Sequence, residues 1–154
     1  MATKKSDLVG LSMLGHEAEP SKKLEAFPNH NPDRFYLITL ETDEFTCVCP
    51  MTGQPDFASI RVDYVPDKLV VESKSFKLYL WSYRNEGVFH EHVINTILDD
   101  LVKSLEPHWC KVIGVFNVRG GIGITVKAEH VKTPAAKEAV MLPPKSGTIV
   151  GFRF

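Results

Sequence analysis

Cysteine is scarce in this chain of 154 residues, which holds only Cys47, Cys49 and Cys110. An odd, sparse set excludes the dense disulfide framework of a small secreted domain and leaves three thiols, each an apolar filler, a ligand or a nucleophile. Long hydrophobic runs are missing too. No stretch approaches the ~20 apolar residues of a membrane-spanning helix, and the opening MATKKSDLVGLSMLG lacks the apolar core of a secretion signal. Charge of one sign does not dominate: the formal net charge is −1, which gives no general attraction to nucleic acid or to an anionic membrane. The ten glycines and ten prolines are scattered, so neither a fibrous repeat nor a low-complexity tract is present. These absences predict a cytoplasmic protein with no membrane partner and no direct nucleic-acid partner.

What is present suits one globular domain: 44% of the residues are apolar and 24% charged, enough to bury a core at this length. Residues 1–33 mix charge, Gly and Pro without sustained periodicity and read as an N-terminal arm. Residues 34–130 read as the single catalytic domain, and residues 131–154 as a C-terminal tail packing on the domain or on a neighbour. Within the domain, FYLITLET, FASIRVDYV and KLVVES are aromatic and β-branched runs separated by the turn-formers PMTGQPD and PDK, which predicts three strands. In SFKLYLWSYRNE, Phe76, Tyr79, Leu80 and Tyr83 form a helical stripe that stops near Gly87. A longer stripe follows, with Phe89, Val93, Ile97, Leu101 and Leu105 every fourth residue, widened by Ile94, Leu98 and Val102 and ended by Pro107. WCKVIGVFNV and GIGITVKAEH then read as two strands joined by a tight turn at Arg119-Gly120-Gly121. Strand runs with two helices inserted between them predict an α+β fold with a mainly antiparallel, five-stranded sheet. Its edges would have to be covered, which barrel-forming contacts between subunits would do.

Three clusters carry the residue types of chemistry. Cys49 enters a loop containing Gly53 and Pro55, and Asp56 closes it; a nucleophilic thiol needs positive potential, amide donors or a proton acceptor, and Asp56 could be that acceptor. The pair also fits a packed cysteine and a turn-capping aspartate. Glu72, Ser73, Lys74 and Lys77 lie where a strand meets the first helix, with Ser73 as the expected N-cap and the lysines spaced to grip one anion; a solvated helix start is the alternative. His90 and Glu91 open the long helix, where Glu91 either serves the helix dipole or reads paired N–H groups of a purine-like ring. Metal is not expected, because C-x-C is too tight for the usual zinc knuckle and no second pair follows. No G-x-G-x-x-G opens a helix, so a dinucleotide would bind without a Rossmann fold.

Taken together, these runs resemble the 7-cyano-7-deazaguanine reductases, the QueF nitrile reductase family of queuosine biosynthesis in the tunnelling-fold (T-fold) superfamily. The family's cofactor motif stands as Glu72-Ser73-Lys74-Ser75-Phe76-Lys77-Leu78-Tyr79, its nucleophile loop as Cys49 to Ala58, its FHE run as Phe89-His90-Glu91 and its RGG turn as Arg119 to Gly121. The resemblance implies Cys49 as nucleophile and Asp56 as general acid and base. It further implies Val71, Glu72, Ser73, His90 and Glu91 around the substrate 7-cyano-7-deazaguanine, with Lys74, Lys77 and Arg119 on the phosphates of NADPH. It implies a homo-oligomer, in the short single-domain branch a decamer of two stacked pentamers with sites at subunit interfaces. Some relatives carry a further cysteine two residues after the FHE motif, able to protect the nucleophile as a disulfide; here that position is Val93, and the protection is not expected. The amidinotransferases of archaeosine formation share the fold and the nitrile but lack the Glu-Ser-Lys motif. Two further alternatives are a zinc-dependent T-fold hydrolase and a non-catalytic purine-binding oligomer.

Overall fold

The computed structural model describes residues 18–141; the expectations for residues 1–17 and 142–154 lie outside the described residues. Four long strands make one antiparallel sheet in the order β2-β3-β5-β6: β2 Ile38–Val48, β3 Pro55–Val65, β5 Trp109–Arg119 and β6 Ile122–Val131. Between the β2–β3 and β5–β6 hairpins the chain forms the short strand β4 Leu69–Val71 and two helices, α1 Ser73–Trp81 and α2 His90–Leu105. The observed class is α+β with antiparallel sheets, as the alternation of runs predicts.

The fifth strand departs from expectation. β4 does not join the sheet; it pairs antiparallel with β1 Ala26–Pro28 in a separate two-stranded ribbon, Phe27 opposite Val70. Only three residues long, β4 runs straight into the cap of α1, and its ladder partner lies more than forty residues back, a pairing with no local signature. β2 is longer than FYLITLET suggests: it continues to Val48 past an irregularity between Thr42 and Phe45, where Asp43 and Glu44 take up the bulge. A third helix, α3 Pro134–Met141, lies in the segment read as a tail. Its buried Ala136 packs with Val65 and Trp109 in a small second core.

Helix α2 covers one face of the sheet with Val93, Ile94, Ile97, Leu98, Leu101 and Leu105, all buried. Phe89, the first residue of the predicted stripe, is instead the exposed N-cap. The helix ends where Glu106 takes a left-handed conformation at φ 45° ahead of Pro107. Close approach to β5 depends on Gly114, opposite Ile60 in the sheet: an added Cβ would collide with Ile94 Cδ1 and come within 2.9 Å of its Cγ1. Helix α1 buries Phe76, Tyr79 and Leu80, and the chain beyond Trp81 tightens into turns in which Tyr83 N–H donates to the Leu80 carbonyl and Arg84 N–H to that of Trp81. Tyr83 thus stays on the core side, where its hydroxyl meets that of Tyr79, which donates to Asp100 of α2. No helix among the described residues is long and apolar enough to cross a membrane.

Gly114→Ala should cost about 1–3 kcal/mol of stability by overpacking, read from urea unfolding. Ile94→Val removes the colliding Cδ1 methyl, so the double variant should be more stable than the sum of the two single losses predicts; strict additivity would show that α2 is not held off by this contact.

Candidate active site

Both hairpins end on the same side of the sheet, and the reactive residues are built there. Cys49 is the first residue after β2, and the loop to β3 is closed by its own backbone: Cys49 N–H donates to the Gln54 carbonyl at 2.8 Å and Gly53 N–H to the Cys49 carbonyl at 2.9 Å. Gly53 makes this possible with φ 66°, a left-handed conformation that glycine adopts without strain. In register, Cys47 faces Asp56 across the ladder. Both side chains are buried, so Cys47 and Asp56 share the side on which α2 packs.

Across the sheet, Gly120 and Gly121 both have positive φ, 58° and 82°, the two-residue turn that a tight hairpin requires. Arg119 is the last residue before this turn. Its guanidinium forks, Nη1 to Asp56 Oδ1 at 2.5 Å and Nη2 to Gln54 Oε1 at 2.6 Å. Asp56 is buried, and its other oxygen lies 3.4 Å from His90 Nε2. His90 is fixed as the first residue of α2 because Val48 N–H donates to the Glu86 carbonyl and Val88 N–H to the Val48 carbonyl, which lays residues 86–88 along the end of β2. The imidazole stacks on Phe116 of β5, ring centroids 3.8 Å apart.

The three thiols separate sharply. Burial pushes Cys47 up to about 11 and Cys110 up to about 12, so both remain protonated fillers. Cys49, partly exposed, is lowered to about 7, first by the Thr52 hydroxyl, then by the backbone N–H groups of Thr52 and Met51, with the Arg119 side chain adding to them against the cost of desolvation. Hydrogen bonds to the sulfur and positive charge beside it stabilise the thiolate over the thiol, so Cys49 carries more thiolate at neutral pH than either buried cysteine.

Of the remaining sequence-selected residues, Val71, Glu72, Ser73, Lys74 and Lys77 form a second group at the start of α1. Glu72, not Ser73, is the N-cap: its two carboxylate oxygens accept from Lys74 N–H at 2.8 Å and Ser75 N–H at 2.7 Å. Those amides hold its pKa below the usual carboxylate value. A carboxylate reaches the second and third helical amides as a serine hydroxyl would, and it carries the charge that the helix terminus favours. Val71 is buried, while Ser73 and Lys77 open onto a cleft between α1 and β2 and Lys74 opens with Glu72 onto a separate hollow beside Ser21 and Lys23. Glu91 is exposed in the first turn of α2. No hydrogen bond or ion pair among the described residues joins the two groups. Arg119, which the resemblance groups with Lys74 and Lys77 on the phosphates of NADPH, pairs here with Asp56. Thr52, Gln54 and Phe116 were not singled out as site residues, although Thr52 and Gln54 stand within the CPMTGQPD run itself. Among the described residues no three His, Cys, Asp or Glu side chains converge as metal ligands.

A family profile described as QueF-like protein matches residues 55–135. The NADPH-dependent 7-cyano-7-deazaguanine reductase of Syntrophus aciditrophicus (strain SB) is 64% identical over 131 residues, which span 85% of this chain and 94% of that protein. The chain belongs to the QueF-like family. A second member, from Thermomicrobium roseum and of the same name, is 61% identical over 75% of this chain and 90% of its own length. The QueF-like chain also superposes on the apo crystal structure of an archaeosine synthase QueF-Like, with TM-score 0.58 and 27% identity over 62% of this chain and 93% of that one. The T-fold implied by the sequence runs is therefore the observed fold.

Alkylation of native protein by iodoacetamide should occur at Cys49 and rise with a midpoint near pH 7. Thr52→Val and Arg119→Gln should each move the midpoint upward. A midpoint near the ~8.5 of a free thiol in the unaltered chain would refute the activation described above.

Proposed function

We propose that this chain is an NADPH-dependent 7-cyano-7-deazaguanine reductase, converting the nitrile of 7-cyano-7-deazaguanine to the aminomethyl group of 7-aminomethyl-7-deazaguanine for queuosine formation in the cytoplasm. The observation that carries the reading is one thiol lowered to about 7 whose sulfur meets the Arg119 side chain, the same side chain that pairs with the buried carboxylate of Asp56. Relatives at 64% and 61% identity named for this reaction support it.

The chemistry follows from these side chains. The Cys49 thiolate adds to the nitrile carbon, forming a C–S bond as one C–N π bond breaks, and the nitrogen takes a proton. Asp56 is the group to deliver that proton, having received it from the Cys49 thiol, so the covalent thioimide forms without net proton exchange with water. Arg119 holds the carboxylate in place and favours the thiolate, while His90, against Phe116, closes the other side of Asp56. Glu91 and the Val71–Ser73 run are proposed to read the deazaguanine ring. NADPH, when bound, supplies hydrides, two per nitrile taken to amine. The fit of the protein to that cofactor rests on the cleft of about 580 Å3 between α1 and β2, where Ser73 and Lys77 of the Glu72–Tyr79 run lie over an apolar floor; Lys74 is the further candidate for its phosphates.

Assembly belongs to the same proposal. Met51, Phe57, Phe89, Val118 and Ile122 are exposed apolar side chains next to the site residues in sequence or across a strand pair, a patch suited to burial by another subunit. A homo-oligomer, expected as two stacked pentamers, would bring the α1 group of one subunit near the thiol of the next. A second reading, transfer of an amine to the same nitrile, has the likeness to the archaeosine synthase in its favour. The intact Glu72–Tyr79 run favours reduction.

Incubation with 7-cyano-7-deazaguanine should give a covalent adduct by intact mass that is lost in Cys49→Ala, and added NADPH should then be oxidised at about two equivalents per amine formed. Native mass spectra of the same samples should show a decamer. An adduct that never consumes NADPH would transfer belief to the amine-transfer reading, and turnover retained by Cys49→Ala would remove the covalent route.

A further inference from the structure

The cleft between α1 and β2 holds more than the motif residues. Besides Ser73 and Lys77, its helix side carries Trp81 and Arg84. Positions 73, 77, 81 and 84 are spaced by four, four and three, one face of a helix and its trailing turn, so the same face that presents the motif presents a further aromatic and a further cation. Trp81 is 37% exposed although its neighbour Leu80 is buried. Arg84 Nε donates to Thr46 Oγ1 of β2 at 3.3 Å. That bond fixes the guanidinium at the cleft and leaves its two terminal amino groups without a hydrogen-bond partner among the described residues.

The acids opposite do not cancel this charge equally. Glu41 is held by Arg61 Nη1 at 2.9 Å and so is already compensated. Glu44 has no cationic partner among the described residues and can accept from a ribose hydroxyl. A flat exposed indole, two cations with free donors and a hydroxyl acceptor around one cleft match the parts of an adenosine bearing phosphates: base, phosphate oxygens and sugar. Guanidinium forks bind phosphate oxygens in pairs, which an ammonium such as Lys77 does not do.

We propose that Arg84 and Trp81 belong to the cofactor site: the α1–β2 cleft receives the adenosine-phosphate half of NADPH, with Arg84 and Lys77 on its phosphates and Trp81 stacked on the adenine. The assignment rests on the reductase reading and adds to it two residues outside the Glu72–Tyr79 run. The cleft is joined to the thiol along the chain: Thr46 lies on β2 three residues before Cys49, which follows the end of that strand, and Arg84 lies two before Glu86, whose carbonyl accepts from Val48 N–H.

The test is binding, not turnover. Isothermal titration of the full chain with adenosine 2′,5′-bisphosphate, which carries the adenosine phosphates of NADPH without the nicotinamide, should show saturable binding. Arg84→Ala should weaken it about tenfold or more, the range of a lost charge-assisted hydrogen bond, Arg84→Lys should restore part of the loss, and Trp81→Ala should weaken it while Trp81→Phe does so less. Steeper loss of affinity with salt in the unaltered chain than in Arg84→Ala would show that the arginine meets charge. Binding unchanged in Arg84→Ala and Trp81→Ala overturns the assignment and leaves the reductase reading standing, because the latter is judged by the nitrile adduct and by NADPH oxidation. No binding to the unaltered chain overturns it as well. A change in native mass in these variants, with bisphosphate affinity retained, makes the cleft a subunit contact and likewise overturns it.

Discussion

The ion pair between Arg119 and Asp56 is the contact on which the site depends. It joins the ends of two hairpins 63 residues apart in sequence, and through Gln54 the same guanidinium steadies the loop that presents Cys49. A buried carboxylate without a partner would be costly, several kcal/mol if left charged in low dielectric; here the arginine supplies the compensation, and it also biases the Cys49 thiol toward thiolate. Fold and reactivity therefore share one side chain. The tight Gly120-Gly121 turn that places Arg119 at the strand end is as much a part of the site as the nucleophile loop.

Around that pair the structure divides labour by element. The central strands give rigidity: β3 and β5 alternate buried and exposed residues and bring Asp56 and Phe116 to one face. The loops give chemistry, with Cys49 at the mouth of a six-residue turn that uses its own amides to close. The helices set the remaining side chains: α1 presents Ser73 and Lys77 to the cleft beside β2, and α2 sets His90 against Asp56. Among the described residues, no hydrogen bond joins the two groups that a nitrile reductase would use, and exposed apolar side chains border the thiol. Both features favour an assembly in which neighbouring subunits complete each site.

Much of this was legible in the sequence, and the failures share a cause. The stripe Val93, Ile97, Leu101, Leu105 gave α2 because helical burial repeats locally, and the Gly pair gave the β5–β6 turn because its backbone demand is local too. Pairings over long separations left no such trace: the β1–β4 ribbon, which removes β4 from the main sheet, and the Arg119–Asp56 bond, which ties together the ends of two hairpins. The N-cap shifted from Ser73 to Glu72 because both types can accept from helix amides, and only geometry chooses between them. α3 was missed in TPAAKEAVM since one buried alanine, Ala136, suffices to dock it on Val65 and Trp109.

Arg119 contacts both Asp56 and the Cys49 sulfur, so the pair should act on the thiol as one unit. The most direct measurement is a double-mutant cycle on the second-order rate of adduct formation with 7-cyano-7-deazaguanine, using Arg119→Gln, Asp56→Asn and the pair. Strong coupling is expected, with the double variant little slower than the worse single one. Rate losses that multiply independently would contradict it.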